Sequence, residues 1–191
     1  MGPRGKARVP YHNRRSIRLP GYDYGQPGAY FDTICTHRRG GIFGEVIRDR
    51  VRLSRMGTIA DFCLRDVPRH FPAAEIRGHV VMPNHMHAIV ILEGDVRRGV
   101  PWNAPTILPA SWPASPHQGG PSRASISPAA GTLGVIVRAY KAAVTTRARG
   151  AGLRDRVWQR GFYEHVIRDE DELIRLEEYI RDNPIRWGCR G

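Results

Sequence analysis

Val80-Val81-Met82-Pro83-Asn84-His85-Met86-His87-Ala88-Ile89-Val90-Ile91-Leu92 is the stretch that decides the fold. Residues 88–92 form a short unbroken apolar run, which suits a buried strand. Pro83-Asn84 supplies a turn joining it to an incoming strand over residues 75–82. Side chains two apart on a strand share a face, so His85 and His87 lie on one side at the start of the returning strand. Spacing alone does not say whether that side is core or solvent. Two imidazoles so placed can share an ion such as Mn²⁺ or Zn²⁺; two histidines at the edge of a core, with no metal, are the alternative.

Working outward, residues 29–36 alternate Tyr30, Asp32, Ile34 against Phe31, Thr33, Cys35 and read as a first strand. Residues 51–70 carry Val51, Leu53, Met56, Ile59, Ala60, Phe62, Cys63 and Leu64 in a roughly 3.6-residue rhythm, which predicts one helix closed by Pro72. Beyond the histidine strand, residues 95–131 hold seven of the fifteen prolines among Gly, Ser and Ala, the composition of a flexible insertion. A helix resumes at Thr132: Leu133, Val135, Ile136, Val137, Tyr140, Ala143 and Val144 mark its apolar face, and Arg138, Lys141, Arg147 and Arg149 a basic one. Residues 157–168 read as a loop into a fourth strand. Asp169 with Glu172 forms a capping box for a last helix, whose Leu173, Leu176, Tyr179 and Ile180 share a face and which Pro184 is expected to stop. The order strand, helix, two strands, helix, strand, helix is that of an α+β ferredoxin-like antiparallel sheet, with helices packed on one face and an additional C-terminal helix carrying the tyrosine.

Thirty Lys and Arg against eighteen Asp and Glu leave a net charge of +12, which favours a polyanionic partner such as nucleic acid. Residues 1–27, rich in Arg, Gly and Pro, read as a flexible basic arm ahead of a catalytic domain over 28–191. Three dispersed cysteines indicate neither a disulfide framework nor a structural zinc knuckle, and no run approaches a membrane span. The expected setting is the cytoplasm, in association with the nucleoid.

Tyr179 and Asn183 are four apart and therefore adjacent on one helical face. A tyrosine there is ordinarily packing, and an asparagine before proline ordinarily caps a helix. Beside a metal, however, a tyrosine hydroxyl can attack a phosphodiester, and a carboxamide oxygen can serve as a third ligand to a hard divalent ion.

Three separated strings converge on one family: residues 81–87 quoted above, Val157-Trp158-Gln159-Arg160-Gly161-Phe162-Tyr163-Glu164-His165-Val166-Ile167-Arg168, and Tyr179-Ile180-Arg181-Asp182-Asn183-Pro184. Together they resemble transposases of the insertion-sequence-200 type, and most of all their REP-associated tyrosine branch among the single-tyrosine HUH endonucleases. Residues 14–24 and 138–145 are similar to family blocks as well.

The resemblance implies that His85, His87 and Asn183 hold Mg²⁺ or Mn²⁺ against the scissile phosphate of single-stranded DNA next to a hairpin. It implies that Tyr179 attacks to give a 5′-phosphotyrosine and a free 3′-hydroxyl, and that a 3′-hydroxyl later rejoins the strand. Lys141, Arg147, Trp158, Gln159 and Arg160 become candidate DNA contacts, Trp158 either by stacking on an unpaired base or, alternatively, as a buried core residue. The insertion is longer than a minimal transposase needs and leaves the oligomer geometry open; the resemblance to the REP-associated branch, which can carry the tyrosine helix in cis, and Asn rather than Gln at 183 imply a monomer over a dimer exchanging that helix. A non-catalytic nucleic-acid-binding module on the same fold is the competing reading.

Overall fold

The computed structural model describes residues 26–93, 132–154 and 156–188. The expected basic arm, apart from residues 26 and 27, and the expected insertion lie outside the described residues. β1 (Gly28–Cys35), β4 (Ala74–Met82), β5 (His85–Leu92) and β6 (Tyr163–Ile167) form one antiparallel sheet in the order β4-β5-β1-β6. This is the ferredoxin-like arrangement expected. The first crossover contains α1 (Arg55–Arg65) and the short α2 (Val67–His70); the second contains α3 (Leu133–Gly150). Both put the following strand back into the same sheet, as such split crossovers do.

Alternation along the central strands sorts the molecule into layers. Tyr30 and Ile34 of β1 and Met86, Ala88, Val90 and Leu92 of β5 pack in the main core with Ala60 and Leu64 of α1 and Ile136, Val137 and Val144 of α3. The alternate residues, Phe31, Ile89 and Ile167, meet Ile180 of α4 (Glu170–Gly188), which lies on the opposite face with Leu173, Leu176 and Tyr179 packed beside it. The capping box opens α4 as expected: Glu172 N–H donates to Asp169 Oδ1 at 2.7 Å, and Glu172 Oε2 accepts from Arg168 N–H at 2.9 Å. An ion pair from Arg77 of β4 to Glu177 (2.9 Å) joins that helix to the sheet edge.

Two expectations need correction. Val51 and Leu53 do not begin a helix but lie in β3 (Arg50–Leu53), which pairs with β2 (Gly44–Ile47) as a separate two-stranded ribbon. Arg48 and Asp49 form its turn with φ of 46° and 62°, the two left-handed positions of a tight hairpin turn. The helix starts only after Ser54, whose hydroxyl accepts from Gly57 N–H at 3.1 Å, and it breaks at Asp66 before α2. An alternation of four residues running into a helical pattern fits either period, so spacing could not separate them.

Pro184, secondly, does not end the last helix. α4 continues to Gly188 with Pro184 inside it, at the cost of the hydrogen bond Pro184 cannot donate to the Ile180 carbonyl. Asn183 is therefore internal to a helix, not its cap. Among the described residues no helix is long and apolar enough to cross a membrane.

Candidate active site

The alternation of β5 that sends Met86 and Ala88 into the main core sends His85 and His87 to the α4 side. Their ring centroids are 4.7 Å apart and nearly perpendicular, at 74°. On β1, Cys35 pairs with His85 and Thr33 with His87. Thr33 Oγ1 lies 2.9 Å from His87 Nδ1, and Phe31 stacks on the same imidazole at 5.1 Å. His85 Nδ1 is 2.7 Å from Asn84 Oδ1; a carboxamide oxygen only accepts, so Nδ1 carries the proton. Anchoring one ring nitrogen fixes the ring's orientation and leaves Nε2 as the nitrogen with the lone pair, as in the outer-layer support of metal-binding histidines.

Burial first, then the neighbouring His85, pushes the His87 pKa down to about 3, against a hydrogen bond to the Asp32 backbone that raises it. His87 is thus neutral near pH 7, the protonation state a metal ligand needs. Its Nε2 is buried with no hydrogen-bond partner among the described residues.

α4 supplies the other wall. The Tyr179 ring meets His87 edge-on at 5.3 Å and Phe31 at 6.0 Å, while the Arg186 guanidinium lies 5.7 Å from the Tyr179 ring centre. One turn further, Asn183 is 1% exposed, and neither its Oδ1 nor its Nδ2 has a partner among the described residues. A further turn on, Trp187 meets His85 at 5.6 Å. Residues 179, 183 and 187 form one helical stripe. Because its first member touches His87 and its last touches His85, Asn183 falls between them, facing the pair.

Continuation of the helix past Pro184 is what brings Trp187 there. Among the described residues no three His, Cys, Asp or Glu side chains cluster to hold a metal ion. The candidate set is instead two imidazoles and a carboxamide, of which His87 Nε2 and both amide atoms of Asn183 are buried without a partner among the described residues; nitrogen and oxygen donors of this kind are the ones ions of the Mn²⁺ class accept. Thr33, Phe31, Arg186 and Trp187 were not legible as site residues. The signal for the first two was the strand register, which a single sequence does not give.

The other sequence candidates lie elsewhere. Trp158 is 7% exposed in the main core, its ring against Phe43 and Tyr140, and its Nε1 donates to the Lys141 carbonyl at 3.0 Å. Lys141 Nζ donates to the carbonyls of Gln159 (3.0 Å) and Gly161 (2.6 Å), and burial draws its pKa down to about 8. Gln159 N–H donates to the Cys35 carbonyl at 2.9 Å. Arg147 lies over the Phe62 ring at 4.8 Å, and Arg160 is exposed. The structure thus gathers His85, His87, Tyr179 and Asn183 in one place and puts Lys141, Arg147 and Trp158 with the helices across the sheet.

No protein-family model matches the sequence. An uncharacterized protein of Haemophilus influenzae is 39% identical over 176 residues, which make up 92% of this chain and 91% of that protein. Among solved structures, a REP-associated tyrosine transposase bound to a REP hairpin superimposes with a TM-score of 0.53 at 22% identity, covering 90% of this chain and 74% of the other. The chain belongs to the same family as the Haemophilus influenzae protein, and its fold is that of the REP-associated tyrosine transposase.

Proposed function

We propose that this protein cleaves and rejoins single-stranded DNA next to a hairpin, with Tyr179 as nucleophile and His85, His87 and Asn183 as ligands of one divalent cation. One observation carries the reading: Asn183 is buried without a partner for either amide atom, on the helical stripe facing the equally unpartnered Nε2 of buried His87. A buried polar group left unpaired costs about 1–3 kcal/mol. Two of them on packed neighbouring elements, beside a tyrosine, are hard to account for as packing and straightforward as a ligand set. A bound Mg²⁺ or Mn²⁺ would neutralise the phosphate and polarise the scissile bond.

The chain's own groups would do the rest. Tyr179 Oη forms the bond to phosphorus, the bond from phosphorus to the 3′-oxygen breaks, and the hydroxyl proton ends on that leaving oxygen. The 5′-phosphotyrosine keeps the bond energy, so a 3′-hydroxyl can reverse the step without a nucleotide cofactor. Arg186, over the Tyr179 ring, places a cation where the phosphate charge develops. Thr33 and Asn84 hold the two imidazoles in register.

Charge supports a DNA substrate. The sheet end at which β5 begins is ringed by exposed Arg38, Arg39 and Arg160, with Arg181 and Arg186 on the nearby end of α4. The opposite end carries Glu93, Asp169, Glu170 and Asp171. Such polarity steers a polyanion to the end that holds the tyrosine. Within the loop of residues 157–161 Arg160 is the exposed side chain, and Lys141 and Trp158 act by holding that loop. The packing of α4 on its own sheet favours a monomer with the tyrosine in cis.

The test is a covalent adduct between the protein and a hairpin with an unpaired flank, in Mn²⁺ or Mg²⁺. Tyr179→Phe is expected to abolish it; an undiminished adduct in that variant refutes the assignment, and metal-independent binding with no adduct in the wild type would favour the non-catalytic module.

A further inference from the structure

The β2–β3 ribbon belongs to neither face of the main sheet, and the chemistry above leaves it without a role. Its roots are firmly set. Phe43, just before β2, is fully buried against Trp158, and its backbone accepts from Ser54 N–H at 2.9 Å and donates to the Pro83 carbonyl at 3.0 Å. An added Cβ on Gly57 would overlap the Phe43 carbonyl oxygen, so α1 is pressed directly onto this root. Both strands of the ribbon also touch α4, the helix that carries Tyr179.

The ribbon's far end is exposed and basic. Ile47, Arg48, Asp49 and Arg50 are all exposed at the turn, and Arg52 pairs with Glu45 on the outer face. Arg48 and Arg50 have no ion-pair partner among the described residues. The two left-handed residues close the tip as a tight two-residue turn. A two-stranded arm with its root buried and two exposed cations at its tip, rooted beside the proposed cleavage site, fits a second polyanionic surface next to the reacting strand.

We infer that the β2–β3 ribbon grips the double-stranded stem beside the cleaved strand, with Arg48 and Arg50 on its phosphates. This rests on the DNA-processing reading above. The ribbon exposes no aromatic ring, and unpaired bases are normally held by stacking on one. A two-stranded β-ribbon, by contrast, is a shape that the major groove of duplex DNA admits. The stem is therefore the part of the substrate that suits it.

Fluorescence anisotropy with the full chain, in chelator so that no cleavage intervenes, tests this on three labelled probes: a DNA hairpin with an unpaired flank, an RNA hairpin of the same stem, and an unpaired DNA strand of the same length. Arg48→Asn with Arg50→Thr removes both cations while keeping residues suited to a left-handed turn and a strand; Arg50→Thr alone is the milder second variant. The double variant is expected to bind the hairpin about tenfold more weakly. Its plot of log K against log salt should flatten by about 0.9 for each phosphate that the missing arginines neutralise in the wild type. Binding of the unpaired strand should be unchanged. Unchanged DNA-hairpin affinity, or equal weakening on both DNA probes, overturns the inference, and tighter binding of the RNA hairpin overturns its assignment to DNA. None of these outcomes depends on the Tyr179 adduct, so failure here and failure of the proposed chemistry are separately visible.

Discussion

His87 is an ordinary residue made unusual by its position in a register. Its cross-strand partner Thr33 anchors Nδ1, Phe31 stacks on its face, and burial keeps it neutral. The i, i+2 spacing of the histidines was legible in the sequence because strand geometry fixes it; Thr33 and Phe31 were not, because pairing between β1 and β5 is a tertiary fact. Asn183 offers a sharper test. Asn183→Leu, close in volume, should stabilise the metal-free protein by about 1 kcal/mol, because an unpaired buried amide is removed. On the proposed ligand set Mn²⁺ is expected to raise the melting temperature of the wild type, by about 2.7 kcal/mol of stability at a hundredfold excess over Kd, and the same change should abolish that rise. Both are read by thermal denaturation with and without metal; a destabilised variant that keeps its Mn²⁺ response would refute the ligand role. Lys141 should behave in the opposite way. Lys141→Ala removes the donor from two carbonyls and is expected to cost about 1–2 kcal/mol in urea denaturation. DNA affinity of the folded variant should fall no further than that of Arg160→Ala, because Lys141 acts through the loop it holds.

At the level of elements, the four main strands and the amphipathic helices were legible because each carries a sustained period and a turn or cap signal. The ribbon was not. Its strands are four residues long, its turn is Arg-Asp instead of a glycine pair, and its apolar residues run in phase with the helix that follows. Proline misled at the other end of the chain. A helix interior disfavours it by roughly 3 kcal/mol, yet α4 continues, and its contacts from Trp187 to His85 and Arg186 to Tyr179 accompany that continuation. The junction between ribbon root and α1 has its own prediction. Gly57→Ala forces a methyl group against the Phe43 carbonyl, where backbone must move, and should destabilise by about 1–3 kcal/mol, the usual range for overpacking. A denaturant midpoint equal to that of the wild type would show that this junction is looser than the geometry indicates.

Across the molecule, the ferredoxin-like order of strands does two things at once. It buries one face of the sheet under α1 and α3, which complete the main core, and leaves the other for a single helix, whose Tyr179 and Trp187 meet the histidines. It also directs the basic loops to the end where β5 begins. Net charge alone pointed to a polyanion; the uneven distribution of that charge emerges only when the topology is known. The proposed chemistry stands or falls on covalent attachment of Tyr179 to DNA. Tryptic mass spectrometry of the adduct formed in Mn²⁺ reads that attachment site. A 5′-linked nucleotide is expected on the peptide of residues 176–181; a nucleotide on the peptide of residues 161–168, which contains Tyr163, would contradict the assignment.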